Sequence, residues 1–349
     1  MSDRRTASLN IGDLEPDQDS LWDAFVDRSP EGTFFHRAGW KRVIERSFGH
    51  RCYFLYASCG DQVRGVLPLT HINSRLFGNA LISNAFCVSG GPIAADLEAL
   101  DALDEAAKEL AREVGVDYLE YRTQSPRHPD WECNAELYAN FCRPINPNPD
   151  KDLLNIPRKR RAEIRKGIAA GLQSEVHRDV DRFYRIYAES VRNLGTPVFG
   201  KRYFENLMAV FGEHCDVLTV THDGRPLSSV MSFYFRDQVL PYYGGGTAAA
   251  RQTPANDFMY WELMRRAAER GIETFDFGRS KRGTGAFDYK KNWGFEPSPL
   301  YHEYFLLGRK KLPSVNPLNP KYRPLIAVWQ YLPLWLANLI GPGIARNLG

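Results

Sequence analysis

The 349-residue sequence lacks the marks of a metal-bound or disulfide-stapled protein. Its six cysteines, Cys52, Cys59, Cys87, Cys133, Cys142 and Cys215, form no CxxC pair and have no histidine at metal-ligand spacing. The eight histidines make no HExxH or HxH pattern. No metal and no cofactor is expected, and the thiols read as free and buried in a reducing compartment. The opening stretch MSDRRTASLNIGDLEPDQDS has no apolar core, so it is not an export signal of the usual kind and the expected location is cytoplasmic. Strong charge of one sign is also missing. A net charge of +3 is too mild for a protein that packages nucleic acid, so any phosphate contact must come from a local cluster. His177-Arg178-Asp179 and Asp276-Phe277-Gly278 imitate two kinase motifs, but Tyr184 stands where a metal-binding Asn would be and no glycine-rich nucleotide loop precedes them.

One such cluster is DFGRSKRGTGAFDYKKNWGFEP, from Asp276 to Pro297, which gathers Arg279, Lys281, Arg282, Lys290 and Lys291 around a Gly-Thr-Gly loop and a Trp-Gly-Phe turn. The run Phe258 to Arg270 reads as a helix stopped by Gly271, and Ile272 to Phe277 alternates as a strand. The cations therefore emerge from a strand end, where α/β proteins place their chemistry. Fixed positive groups there suit phosphates or the oxyanion of an acyl transfer, although a solvated basic loop has the same spacing.

The two halves repeat one pattern. Tyr53 to Ala57, a turn at Gly60-Asp61 and Val63 to Leu69 form one hairpin; Asp216 to Thr221, a turn at Asp223-Gly224 and Leu227 to Phe235 form another. A glycine cluster follows each, Ser89-Gly90-Gly91-Pro92 and Gly244-Gly245-Gly246-Thr247, then a helix ending in glycine, a strand, and a closing β run, Ala135 to Phe141 or Tyr301 to Leu307. The expectation is an α/β (α+β) fold made twice: residues 1–150, residues 151–310 and an apolar tail, 311–349, each domain a mixed, mostly antiparallel sheet flanked by helices. Pro144 to Pro157 reads as the linker. Beyond it, PRKRRAEIRKGIAAG predicts a short helix with Arg158, Arg161 and Arg165 on one face, either a solvated surface beside buried Ile164 and Ile168 or a phosphate or RNA contact.

Gly91-Pro92, the RKRRAEIRKG helix and Lys290-Lys291-Asn292-Trp293-Gly294 resemble the FemAB-type aminoacyl transferases, and the Asp276 to Pro297 block is most similar to FemAB-like proteins of exosortase and exopolysaccharide gene systems. The resemblance spans roughly Ser20 to Leu307 and implies two GNAT-like domains in tandem, with peptidoglycan or exopolysaccharide chemistry. Members acting on nucleotide-linked muropeptide carry a lysine where this chain has Ile44, with Lys41, Arg42 and Arg46 nearby. The acyl-CoA glycine turn is replaced by Arg251-Gln252-Thr253-Pro254-Ala255-Asn256-Asp257, in which Pro254 removes an N–H donor.

The implied activity is transfer of an activated aminoacyl group, from aminoacyl-tRNA or another acyl donor, to an amine of a saccharide or lipid-linked envelope precursor. Lys290, Asp276 and Arg279 are the expected catalytic groups, with Asp276 or Asp288 orienting the amine. Lys281, Tyr242, Tyr243, Gly245 and Trp293 are expected against substrate, and Arg158, Lys159, Arg161 and Arg165 against tRNA phosphates. An acyl-CoA enzyme and a non-catalytic anionic glycan or lipid binder are the alternatives. From Pro324 to Ala345 no residue is charged, and Pro333 and Gly341-Pro342 break the run. Two short helices are expected there, either packed on the second domain or giving residues 321–349 a peripheral contact at the inner membrane face, with Trp329 and Trp335 at headgroup depth.

Overall fold

The computed structural model describes residues 8–74, 78–308 and 323–348. In chain order the elements are β1 (Leu9–Asp13), α1 (Asp19–Arg28), α2 (Gly39–Phe48), β2 (Cys52–Cys59), β3 (Gln62–Ser74), β4 (Gly78–Ser83), β5 (Ile93–Ala94), α3 (Leu97–Val114), β6 (Tyr118–Thr123) and β7 (Glu132–Pro144). They continue with α4 (Pro149–Asn155), α5 (Arg158–Ala169), β8 (Gln173–His177), α6 (Val180–Asn193), α7 (Lys201–Phe211), β9 (Cys215–His222), β10 (Arg225–Phe235) and β11 (Gln238–Gly246). The last are α8 (Ala255–Glu269), β12 (Thr274–Asp276), β13 (Ser280–Lys281), α9 (Gly285–Asn292), β14 (Pro297–Leu306), α10 (Arg323–Tyr331) and α11 (Leu334–Ala345). The described residues divide into two compact units, one within residues 8–135, 300–308 and 347–348, the other within residues 136–299 and 323–346.

In the first unit, β1, β2, β3 and β4 pair antiparallel in turn, β4 runs parallel to β6, and β6 pairs antiparallel with β14. Helix α3 covers this sheet. Its start is fixed by Asp96, whose carboxylate accepts the Ala99 N–H, and its end by Gly115 in the left-handed conformation. Between them Ala99, Leu103, Ala107 and Ala111 recur every fourth residue and are buried, the spacing of one helix face.

The second unit repeats the plan. Strands β8, β9, β10 and β11 are antiparallel neighbours, β11 runs parallel to β12, and β12 is antiparallel to β7. The β9–β10 turn places Asp223 and Gly224 at positive φ, the geometry that lets a two-residue hairpin follow strand twist. Both expected hairpins and the α3 helix are present, and each unit is a mixed, mostly antiparallel sheet with flanking helices.

Three expectations change. The closing runs are exchanged: Thr274 to Asp276 pair with Pro144 to Cys142, whereas Tyr301 to Leu306 pair with Thr123 to Tyr118 in the first unit. Alternation marks a strand and leaves its partner open, because pairing is settled by tertiary packing. The segment read as a linker contains α4, started by Asn148 and by Pro149 in the first turn. The tail forms two helices parted at Pro333, but α11 continues through Gly341 and Pro342.

Strand β14 is fastened by buried charge. Glu303 Oε1 accepts the backbone N–H of Arg127 (2.9 Å) and of His128 (2.7 Å). His128 Nε2 meets Asp104 Oδ2 at 2.9 Å, and its Nδ1 lies 3.5 Å from Glu303 Oε2. Burial opposes a charge on His128, but hydrogen bonds and the charges of Asp104 and Glu303 outweigh it and raise its pKa to about 9. A histidine whose pKa is higher folded than unfolded stabilises fully below its unfolded value near 6.5 and loses that contribution as pH rises through about 9. The stability gap between wild type and His128→Gln, read by urea unfolding, is therefore expected to be widest at pH 6 and to shrink by pH 9.5; a constant gap would show that the imidazole stays neutral.

Candidate functional site

The cationic block lies wholly in the second unit and begins where β12 ends. Asp276 Oδ1 accepts the Gly278 N–H at 2.9 Å and the Asn140 side-chain amide of β7 at 3.0 Å. Gly278 has positive φ, which turns the chain away from the sheet. Thr284 then caps α9 by accepting the Phe287 N–H, and α9 returns Lys290 over the turn.

Lys290 Nζ donates to the carbonyls of Gly278 (2.9 Å) and Arg279 (3.0 Å). The rings of Phe277 and Phe141 lie 5.2 and 5.6 Å from it. Burial, aided by the Arg279 charge and opposed by Asp276, lowers the Lys290 pKa to about 7. Burial likewise raises Asp276, against the pull of the Gly278 N–H, Asn140 and Lys290. An amine that is near half-protonated at neutral pH beside a carboxylate can donate to a developing oxyanion or take up a proton.

Arg279 and Lys281 both lie over the Tyr138 ring, at 5.0 and 5.8 Å. Lys281 Nζ is buried without a hydrogen-bond partner, and burial lowers its pKa. A desolvated, unpartnered amine is costly, so this one is ready to pair with an incoming acceptor atom. Asp288 is exposed at the first turn of α9.

Strands β11 and β12 pair at two positions only, Gln238 with Thr274 and Val239 with Phe275. Beyond them β11 runs on to Gly246, with a bulge at Tyr242 where Met231 faces Tyr243 and Ser232 faces Pro241. Tyr242 is half-buried against Phe233. Of the residues expected against substrate, Tyr243 and Trp293 are buried and Gly245 is half-buried beside α6. Tyr243 is buried with its hydroxyl 2.7 Å from that of Tyr203. A Cβ on Gly245 would stand 2.5 Å from Ser190 Cβ, so that glycine admits helix α6. Trp293 is fully buried and its indole N–H donates to Asp257 at 3.0 Å.

Asp257 was not singled out by sequence reading. It also accepts the Tyr289 hydroxyl at 2.7 Å and Arg160 Nη1 at 3.2 Å, and the Arg160 guanidinium lies 4.8 Å over the Tyr289 ring. Arg160, Ile164 and Gly167 turn α5 toward α8, and a Cβ on Gly167 would meet Phe258 Cβ at 3.1 Å. Arg158, Lys159 and Arg165 are left exposed; Arg161 is half-buried and donates to the Leu154 carbonyl at 2.9 Å. Ile168, expected inside, is exposed because the inward face is one residue earlier in the turn. The segment before α8 has Pro254 at the N-cap with no side-chain cap. In the first unit Ile44 is buried, Lys41 donates to the Cys52 carbonyl at 2.7 Å, and Arg42 pairs with Asp19.

Residues 158–291 match the acetyltransferase (GNAT) domain. The fold is GNAT-like. The solved structure of FemX superposes with a TM-score of 0.67 at 16% identity, covering 91% of this chain and all of that one. A tandem GNAT protein from the clavulanic acid biosynthesis pathway gives 0.53 at 12% identity over 87% of this chain and 100% of its own. The C-terminal domain of a putative lysylphosphatidylglycerol synthetase from Agrobacterium fabrum gives 0.54 at 12% identity, covering 82% and 91%. No curated protein matches the sequence significantly. The matched GNAT segment holds every site residue named from sequence except Trp293, which follows it by two positions.

The Asp257 arrangement sets a stability prediction. Asp257→Ala leaves Arg160 without its counterion and strips the Tyr289 and Trp293 donors of their acceptor, so a loss of roughly 3–5 kcal/mol is expected in urea unfolding. Exposed Arg165→Ala should change stability by less than about 0.5 kcal/mol. Equal effects would show that Asp257 does not hold the helices.

Proposed function

We propose that the protein is an N-acyltransferase that moves an activated aminoacyl group onto an amine of a cell-envelope or exopolysaccharide precursor. The observation that carries this reading is the Lys290 amine, half-buried and lowered to about 7, held by α9 over the turn that ends the parallel strand of a GNAT domain. The neutral acceptor amine attacks the donor carbonyl, forming the C–N bond. Negative charge collects on the carbonyl oxygen, where protonated Lys290 stabilises it, and collapse expels the donor's ester or thioester leaving group. The acceptor's surplus proton passes to Asp276 or to water. No covalent enzyme intermediate is required.

Arg279 and Lys281 are assigned to anionic groups of the substrates, an assignment supported by the unpartnered Lys281 amine. The Arg158, Lys159, Arg161 and Arg165 surface is assigned to the phosphates of a tRNA acceptor arm. A tRNA-borne donor is favoured over acyl-CoA because the segment before α8 has no glycine and puts Pro254 at its N-cap.

The direct test is mass spectrometry of amine-bearing saccharide precursors incubated with the protein and either aminoacyl-tRNA or acyl-CoA. Product from aminoacyl-tRNA alone supports the reading; product from acyl-CoA alone replaces the donor. Lys290→Ala is expected to lower turnover about a hundredfold or more while the fold is kept. With a saturating, fully neutral acceptor, wild-type turnover should decline as pH rises through about 7, because Lys290 loses its proton there. A rate that climbs through the same range, and does so only with Lys290 present, would make the residue a base. Reversing Arg158, Arg161 and Arg165 to Glu should weaken tRNA binding and flatten its dependence on salt; unchanged salt slopes would return α5 to an ordinary surface.

A further inference from the structure

Helices α10 and α11 carry large apolar residues on their outer side as well as on the side packed against the protein. The inward positions of α11 are Leu334, packed on Ala188, Val191 and Val198, and the small residues Ala337, Gly341 and Ala345, which allow close approach: a Cβ on Gly341 would stand 3.1 Å from the Val198 backbone nitrogen. Its outward positions are Trp335, 68% exposed, and Leu339, 70% exposed, with Ile340 beside them. Along α10 the outward positions are Leu325, Val328 and Tyr331, the last 88% exposed. Ile326 and Gln330 turn inward against Gly195 and Asn193. Trp329, paired with Trp335 in the sequence reading as a headgroup anchor, keeps its indole N–H buried, so Tyr331 replaces it on the outer face. Amphipathic surface helices keep polar residues on the outer side, and a group of large exposed apolar residues in their place marks an interaction surface.

Charge identifies the partner. From Tyr304 to Gly349 there is no Asp or Glu, while Arg309, Lys310, Lys311, Lys321, Arg323 and Arg346 lie on either side of the uncharged run Pro324 to Ala345. A protein partner would need apolar and anionic groups together, and an anionic bilayer surface presents both at every point. Among the described residues no helix is long and apolar enough to cross a membrane, which leaves the interface plane. We propose that the outer face of α10 and α11 seats on the surface of an anionic phospholipid membrane, with Trp335, Tyr331 and Leu339 entering the headgroup region and exposed Arg346 meeting lipid phosphate.

The test uses the full chain and sedimentation with vesicles of phosphatidylglycerol and phosphatidylcholine, against vesicles of phosphatidylcholine alone. Binding is expected on the anionic vesicles, weakened by salt and by Arg323→Glu with Arg346→Glu. Trp335→Asp with Leu339→Asp is expected to weaken partitioning at least about tenfold, since each removes a large apolar contact and adds a charge. Its melting temperature should match wild type, because both side chains are exposed. The proposal is overturned if the full chain fails to bind anionic vesicles, or if the Asp variant binds as well as wild type. It is also overturned if the variant unfolds, which would make the face core, or if the substitutions turn a dimer in solution into a monomer, which would assign the face to a second copy.

Discussion

Asp257 is the point at which the second unit is held to one arrangement. It stands in the first turn of α8 and receives donors from α5, α9 and the turn after α9, through Arg160, Tyr289 and Trp293. A buried carboxylate without donors carries a large desolvation penalty, so each of the three side chains is also a condition for the charge to be there at all. The same bonds fix the pitch of α9, and the pitch of α9 decides that Lys290 arrives over the Gly278 and Arg279 carbonyls. The low pKa of that amine comes from its burial there, aided by the Arg279 charge and opposed by Asp276.

The two units use one plan differently. In the first, the glycine segment folds back onto β6: the Gly90 and Gly91 N–H groups both bond the Arg122 carbonyl at 3.1 Å, and the Arg122 N–H bonds Ser83 Oγ at 2.8 Å. Gly91 is needed there because a Cβ would collide with Thr123. In the second, the matching strands part after two residue pairs and the cationic turn begins. The repeat visible in sequence is therefore a repeat of architecture, with different chemistry at its two parallel strand ends.

Much of this was legible before any coordinates. Helix α3 is announced by the run Leu97 to Val114 that stops at Gly115, a local signal, and the Asp276 to Pro297 block by its density of cations beside a strand. What local pattern could not supply was partner choice. Asn140, Tyr138 and Phe141 enter the site from β7, more than a hundred residues earlier, and nothing in their own neighbourhood marks them. Arg160 was hidden among other basic residues, since a run of arginines does not show which one turns inward. Tyr243 and Trp293 were drawn toward substrate by aromatic and glycine-rich surroundings that the structure uses for packing.

The exchanged closing strands also bear on the order in which the chain can fold as it is made. Glu120 and His302, joined by a side-chain hydrogen bond between β6 and β14, are 182 residues apart. Translation at about 5–20 residues per second leaves β6 waiting on the order of ten seconds or more for its neighbour. During that interval a strand whose six residues are all buried in the finished protein presents an open edge. The first sheet to be synthesised is therefore the last to be completed, and its exposure in the cell is set by the ribosome more than by the stability of the finished fold.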